Sequence, residues 1–292
     1  MLQDYTTATV ASGDGTKIGF RYRGSGPAVV LVHGSMESGL NHVALADALA
    51  DRYTVFLPDR RGRGLSGPHA ANHALATEVA DIHAVVAQAG ASRIFGVSAG
   101  GLVALAAARR HARLISKVAL YEPALVLAGS FYDNAWIPKF DAQIAAGRVT
   151  GAMVTSMFAM RLAPAGLKVI PRPILAGLTG MMLKGEDKNA APDDVTMRRL
   201  APTIRYEGVI IGEAKGTEAD YADVTADVLL MSGGRGLPWL RPGRDALLRT
   251  LPNARTVEYP DLDHGGSSDV TKANPKGRPD LVAKDLADFF RD

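Results

Sequence analysis

The run Ala28-Val29-Val30-Leu31-Val32 is apolar at every position and too short for a core helix, which fits a strand covered by protein on both faces. Similar runs recur at 93–97, 115–121 and 228–231, with further strand patterns at 54–57 and 255–259. Stretches of helical spacing separate them, at 40–51, 76–89, an Ala-rich 100–111, 243–251 and 281–290. A hairpin precedes the series, with strands 7–11 and 16–23 around the turn Gly13-Asp14-Gly15. Repeated strand–helix units with doubly buried strands predict an α/β fold: eight strands, mostly parallel, with helices on both faces.

The alternation stops after Pro123 and resumes near 224. Residues 124–223 are helical in character with Gly and Pro breaks, and read as an insertion after the sixth strand. Residues 1–123 and 224–292 then form the core. Six of the nine methionines lie in the insertion: Met153, Met157, Met160, Met181, Met182 and Met197. Flexible thioethers suit a pocket that adapts to an apolar substrate, and ordinary helix packing uses them equally well. The loop 265–280 is polar and rich in Gly and Pro, so mobility is expected there.

Composition removes several classes. There is no cysteine, which excludes disulfides, thiolate nucleophiles and Cys-based zinc sites. The net charge is only +3, and the one basic cluster, Arg60-Arg61-Arg63, sits in a Gly-rich turn without interleaved aromatics. It reads as a solvated surface rather than a nucleic-acid groove. The opening Met1-Leu2-Gln3-Asp4-Tyr5-Thr6 has neither a basic start nor an apolar stretch, and no run reaches the ~20 residues of a membrane helix. A cytoplasmic protein without membrane or nucleic-acid partners is expected. Oligomeric state is not legible, and a homodimer is left open.

Gly96-Val97-Ser98-Ala99-Gly100 falls where a strand ends and a helix begins. A serine there is held on a sharp turn with its hydroxyl exposed; the competing reading is a helix N-cap. A nucleophilic serine needs a base. Of the seven histidines, His33, His42, His69, His73, His83 and His111 precede Ser98 or lie close to it in the chain. His264 follows the last strand, at the carboxyl edge where ligands of parallel sheets gather. The imidazole needs a carboxylate. The loop after 228–232, Gly233-Gly234-Arg235-Gly236-Leu237-Pro238-Trp239, has none, whereas Glu122 ends the strand 117–121. Asp261 and Asp263 suit local turn or surface roles, and Asp245 a solvated helix face. Backbone N–H groups of Ala99 and of Ser35, in His33-Gly34-Ser35-Met36, are the candidate oxyanion donors.

These residues carry a resemblance. Gly24-Ser25-Gly26-Pro27 leading into 28–34, the segment Pro58-Asp59-Arg60-Arg61-Gly62-Arg63-Gly64-Leu65-Ser66, Gly96–Gly100 and Asp263-His264-Gly265 resemble, in order, the motifs of the α/β-hydrolase superfamily. The resemblance implies a nucleophile at Ser98, a base at His264, oxyanion donors at Ser35 and Ala99, and a cap formed by the insertion. Most members place an Asp after the strand corresponding to 228–232; some branches, haloalkane dehalogenases among them, place the acid after the preceding strand, as Glu122 does. Dehalogenases and epoxide hydrolases use an Asp nucleophile, which the serine argues against.

The expected activity is that of a serine esterase or thioesterase, needing no cofactor and no metal and acting on a small to medium apolar acyl compound. The same triad serves carbon–carbon bond hydrolysis, perhydrolysis and acyl transfer. A non-hydrolytic ligand-binding or cyclase-type protein of the same fold is the rival from another class.

Overall fold

In the computed structural model, which describes residues 4–163, 165–191 and 194–291, the hairpin is β1 (Thr6–Ala11) and β2 (Lys17–Arg23). Then come β3 (Ala28–Val32), β4 (Thr54–Pro58), β5 (Arg93–Val97), β6 (Lys117–Tyr121), β7 (Asp227–Gly233) and β8 (Ala254–Tyr259). They form one sheet in the order β1-β2-β4-β3-β5-β6-β7-β8, and from β4 through β8 every neighbouring pair is parallel. The chain start read for a leader falls partly outside the described residues, at Met1–Gln3. Among the described residues no helix is long and apolar enough to cross a membrane.

The all-apolar pattern of β3 has the expected cause. Val29 and Leu31 pack on one face, with α1 (Val43–Leu49) and α10 (Pro279–Phe289). Val30 and Val32 pack on the other, with α2 (Leu75–Ala89), α3 (Ser98–Arg110) and Leu247 of α9 (Arg241–Thr250). Pairing is level across the middle of the sheet: Val97 of β5 aligns with Tyr121 of β6, and Tyr121 with Met231 of β7. Ser98 and Glu122, each one residue further, therefore start from the same edge. β6 begins two residues later than its apolar run, because Ile115 N–H still bonds back to His111 O at 3.1 Å.

Between β6 and β7 the chain forms α4 (Ile137–Ala145), α5 (Val149–Ala159), α6 (Arg172–Asn189), α7 (Met197–Leu200) and α8 (Ile204–Glu213). Trp136, Phe140, Ile204, Ile210 and Ile211 join the same apolar core as α2 and α3. The methionines divide: Met160 is buried and Met153 packs against the core, while Met181 and Met182 face solvent.

Two expectations are corrected. Arg60, Arg61 and Arg63 are buried, not a solvated surface. Arg61 forms a two-bond pair with Asp81 on α2, both bonds 2.6 Å. Arg60 bonds Glu78 on α2 (2.6 and 2.9 Å) and Glu207 on α8 (3.1 Å twice), and Arg63 also bonds Glu207. Buried guanidinium groups persist because each finds carboxylates in fork geometry. The loop 265–280 is tied down rather than loose. Asn274 Nδ2 donates to the carbonyls of Gly265, Ser268 and Asp269, and Ser268 Oγ donates to Glu37 at 2.6 Å.

Candidate active site

Ser98 opens α3 with φ +54°, a left-handed conformation that a residue with a side chain adopts only when its surroundings enforce it. The enforcement is close packing. A Cβ on Gly100 would lie 2.2 Å from His33 O, and one on Gly96 2.6 Å from Gly100 O. The helix thus starts against the ends of β3 and β5, and its first residue is forced into a sharp bend. The residue flanking the helix is Val97, and no side-chain cap is present, so Ser98 is not an N-cap. Its hydroxyl bonds no described residue, and its carbonyl accepts from Ala124 N–H at 3.0 Å.

Glu122 also has a left-handed backbone, φ +44°, and its carboxylate is 5% exposed. Oε2 accepts from His264 Nδ1 at 2.6 Å. Oε1 accepts from Gly233 N–H at 3.1 Å, and Leu237 N–H approaches Oε2 at 3.4 Å. The loop after β7, which has no acid of its own, thus wraps its amides around a carboxylate delivered from β6. Gly236 is the position that permits this: a Cβ there would sit 1.6 Å from Glu122 Oε1. The glycine at 236 is the trace that this contact leaves in the sequence.

With Nδ1 bonded to Glu122, the neutral imidazole of His264 carries its lone pair on Nε2. The His264 side chain is 29% exposed and borders a cleft of about 410 Å³ shared with Met36, Leu237 and Arg235. Tyr121 OH donates to Asp263 O at 2.7 Å and fixes the residue before it. Glu122 and His264 are therefore in direct contact, and Ser98 shares their sheet edge without a hydrogen bond to His264. Such bonds are often open in unliganded sites.

The other histidines are occupied elsewhere. His83 and His111 stack on each other at 3.9 Å, and His69 stacks on Tyr206 at 3.7 Å. His33 is buried, donates from Nδ1 to Gly34 O and accepts Arg60 N–H at Nε2. Burial first, then Arg63 and Arg60, hold its pKa well below the usual histidine value. His33 is thus a neutral brace under the 33–36 loop. Asp261 pairs with Arg235 on the surface and Asp263 takes Gly265 N–H, the local roles expected of them.

In the 33–36 loop Met36 has φ +56°, and Ser35 N–H has no partner among the described residues; nor has Ala99 N–H at the start of α3. Two charged side chains brace this loop from beneath. Glu37 accepts from Gly34 N–H at 2.7 Å and from Ser268, and lies 3.3 Å from His42. Burial would raise its pKa, but His42, Ser268 and the Gly34 amide together hold it at about 2. Arg60 is the second, joining His33, Glu78 and Glu207.

Among the described residues one group has donor atoms close enough for a metal, His69, His73 and Glu78, within 4.8 Å. Glu78 is already bonded by Arg60 and His73, and Arg63 adds positive charge beside His69. That donor set favours a structural ion-pair cluster over a cation site.

The model of the alpha/beta hydrolase family matches residues 29–277. The chain belongs to that family. A crystal structure of an alpha/beta hydrolase from Sphaerobacter thermophilus is 31% identical and superposes with a TM-score of 0.76, covering 97% of this chain and 100% of the other. The esterase RhEst1 from Rhodococcus sp. ECU1013, 20% identical over 97% of this chain and 98% of its own at TM-score 0.66, shares the fold. A proline iminopeptidase from Xylella fastidiosa is 36% identical over 115 residues, which are 38% of this chain and 34% of the peptidase. That match spans about a third of the peptidase.

Proposed function

We propose that this chain is a serine esterase or thioesterase working through Ser98, His264 and Glu122. The observation that carries the reading is the 2.6 Å bond from His264 Nδ1 to a buried Glu122, at the sheet edge where Ser98 sits on a left-handed turn. His264 Nε2 takes the Ser98 proton as Oγ attacks the substrate carbonyl. The tetrahedral oxyanion rests on the Ser35 and Ala99 amides, aided by the N-terminus of α3. The protonated imidazole, stabilised by Glu122, gives its proton to the leaving alcohol or thiol. Water activated by the same nitrogen then cleaves the acyl-enzyme.

The helices within 124–223 act as a cap over the site, and the flexible thioethers they carry suit a small to medium apolar acyl group. The test is a fluorophosphonate probe with a panel of chromogenic esters and acyl thioesters of graded chain length. Wild type is expected to label at Ser98 and turn over esters, with Ser98→Ala silent and Glu122→Gln slowed about 10⁴-fold. Tight binding of the panel without labelling or turnover would overturn the reading in favour of a non-hydrolytic protein.

A further inference from the structure

The helices between β6 and β7 carry an exposed apolar surface. Of the ten large hydrophobic side chains exposed among the described residues, six fall between Leu162 and Met182. On α6, Ile174, Leu178, Met181 and Met182 are 55%, 48%, 63% and 51% exposed. At about 100° per residue these four form a single stripe some 100° wide. Leu175 and Leu183, on the inward side of the same helix, are buried.

Charge around the stripe is one-sided. Lys184 and Lys188 run along one edge, both exposed, while Arg172 on the first turn stands over the Phe158 ring at 5.1 Å. The two acids of the helix are engaged: Glu186 accepts Met197 N–H at 3.1 Å and Asp187 pairs with Arg198 at 2.7 Å. A second copy of the chain, packed antiparallel about a twofold axis, would bring the two lysine edges to the same side of the seam. An anionic surface meets them favourably, and an apolar stripe flanked by cations is the build of a helix lying in the headgroup plane.

We propose that the outer face of α6 docks on an anionic lipid surface. Ile174, Leu178, Met181 and Met182 enter the acyl boundary while Lys184 and Lys188 meet the headgroups. This is peripheral docking; α6 has 18 residues and is not apolar enough to cross a bilayer. It does not depend on the chemistry at Ser98.

The experiment is co-sedimentation of the whole chain with vesicles of phosphatidylcholine, with and without phosphatidylglycerol, alongside sedimentation velocity without lipid. Wild type is expected to bind the mixed vesicles in preference to the neutral ones. Ile174→Ser with Met181→Ser should weaken that binding about tenfold or more. Lys184→Glu with Lys188→Glu should remove the preference for phosphatidylglycerol. All these side chains are exposed, and far-UV circular dichroism with a thermal melt controls for folding. No vesicle binding by wild type, or equal binding by the serine variant, overturns the proposal. So does a lipid-free dimer that the serine variant dissociates, which would assign the stripe to a second copy.

Discussion

Glu207→Gln is the sharpest test of how the inserted helices are held to the sheet domain. Glu207 has no side-chain exposure and accepts two bonds from Arg60, each 3.1 Å, and one from Arg63. With Glu78 it balances two buried guanidinium groups. The burial of Arg60 by itself lowers its pKa, and Glu207 and Glu78 more than reverse that. Glutamine removes one of the two negative charges and turns an N–H₂ toward an arginine donor. Breaking a buried pair on one side costs about 3–5 kcal/mol, because a charge is left uncompensated. For a chain of 292 residues, an unfolding entropy of about 2.1 cal/mol/K per residue makes 4 kcal/mol equal to about 6 °C in Tm. Scanning fluorimetry of wild type, Glu207→Gln, Arg60→Met and the double variant measures it. The double variant should lie well above the sum of the single losses. Asp261→Asn, at the exposed Arg235 pair, should leave Tm unmoved. A shift below about 1 °C for Glu207→Gln would refute the electrostatic reasoning.

Three further outcomes are expected. Gly236→Ala places a methyl 1.6 Å from Glu122 Oε1, so Glu122 or its loop must move; kcat should fall about a hundredfold, and a change within a factor of about two would show that the carboxylate is not positioned by this loop. Glu37 has its pKa held at about 2, below the usual 4.5. A depressed carboxylate stabilises the fold fully above its unfolded value, and the benefit fades as pH falls toward 2. Across that window wild type should therefore lose about 3 kcal/mol more than Glu37→Gln in urea titrations, the variant showing the flatter acid limb. Asn274→Ala frees the three carbonyls it gathers; limited proteolysis followed by mass spectrometry should then cut within 265–278 sooner than in wild type.

The sheet was legible because burial on both faces demands apolar residues, a pattern that β3 carries at every position and β5 and β6 carry after their first residues, Arg93 and Lys117. The Ser98 turn was legible for a related reason: close approach of α3 to β3 and β5 tolerates only glycine at 96 and 100, and that demand is written locally. The pairing of Glu122 with His264 joins residues 142 apart, and the sequence narrowed it only by leaving the β7 loop without an acid. The fate of the arginines was not legible at all. Arg60 and Arg63 look like surface cations until α8 brings Glu207 to them from 147 and 144 residues away, and burial with that carboxylate is what makes them structural. Periodicity and local sterics determine which elements form and where the chain must bend. Charges become buried, braced or exposed only through partners distant in the chain, so the tertiary structure alone decided how the residues around Ser98 are held and which face of α6 was left to solvent.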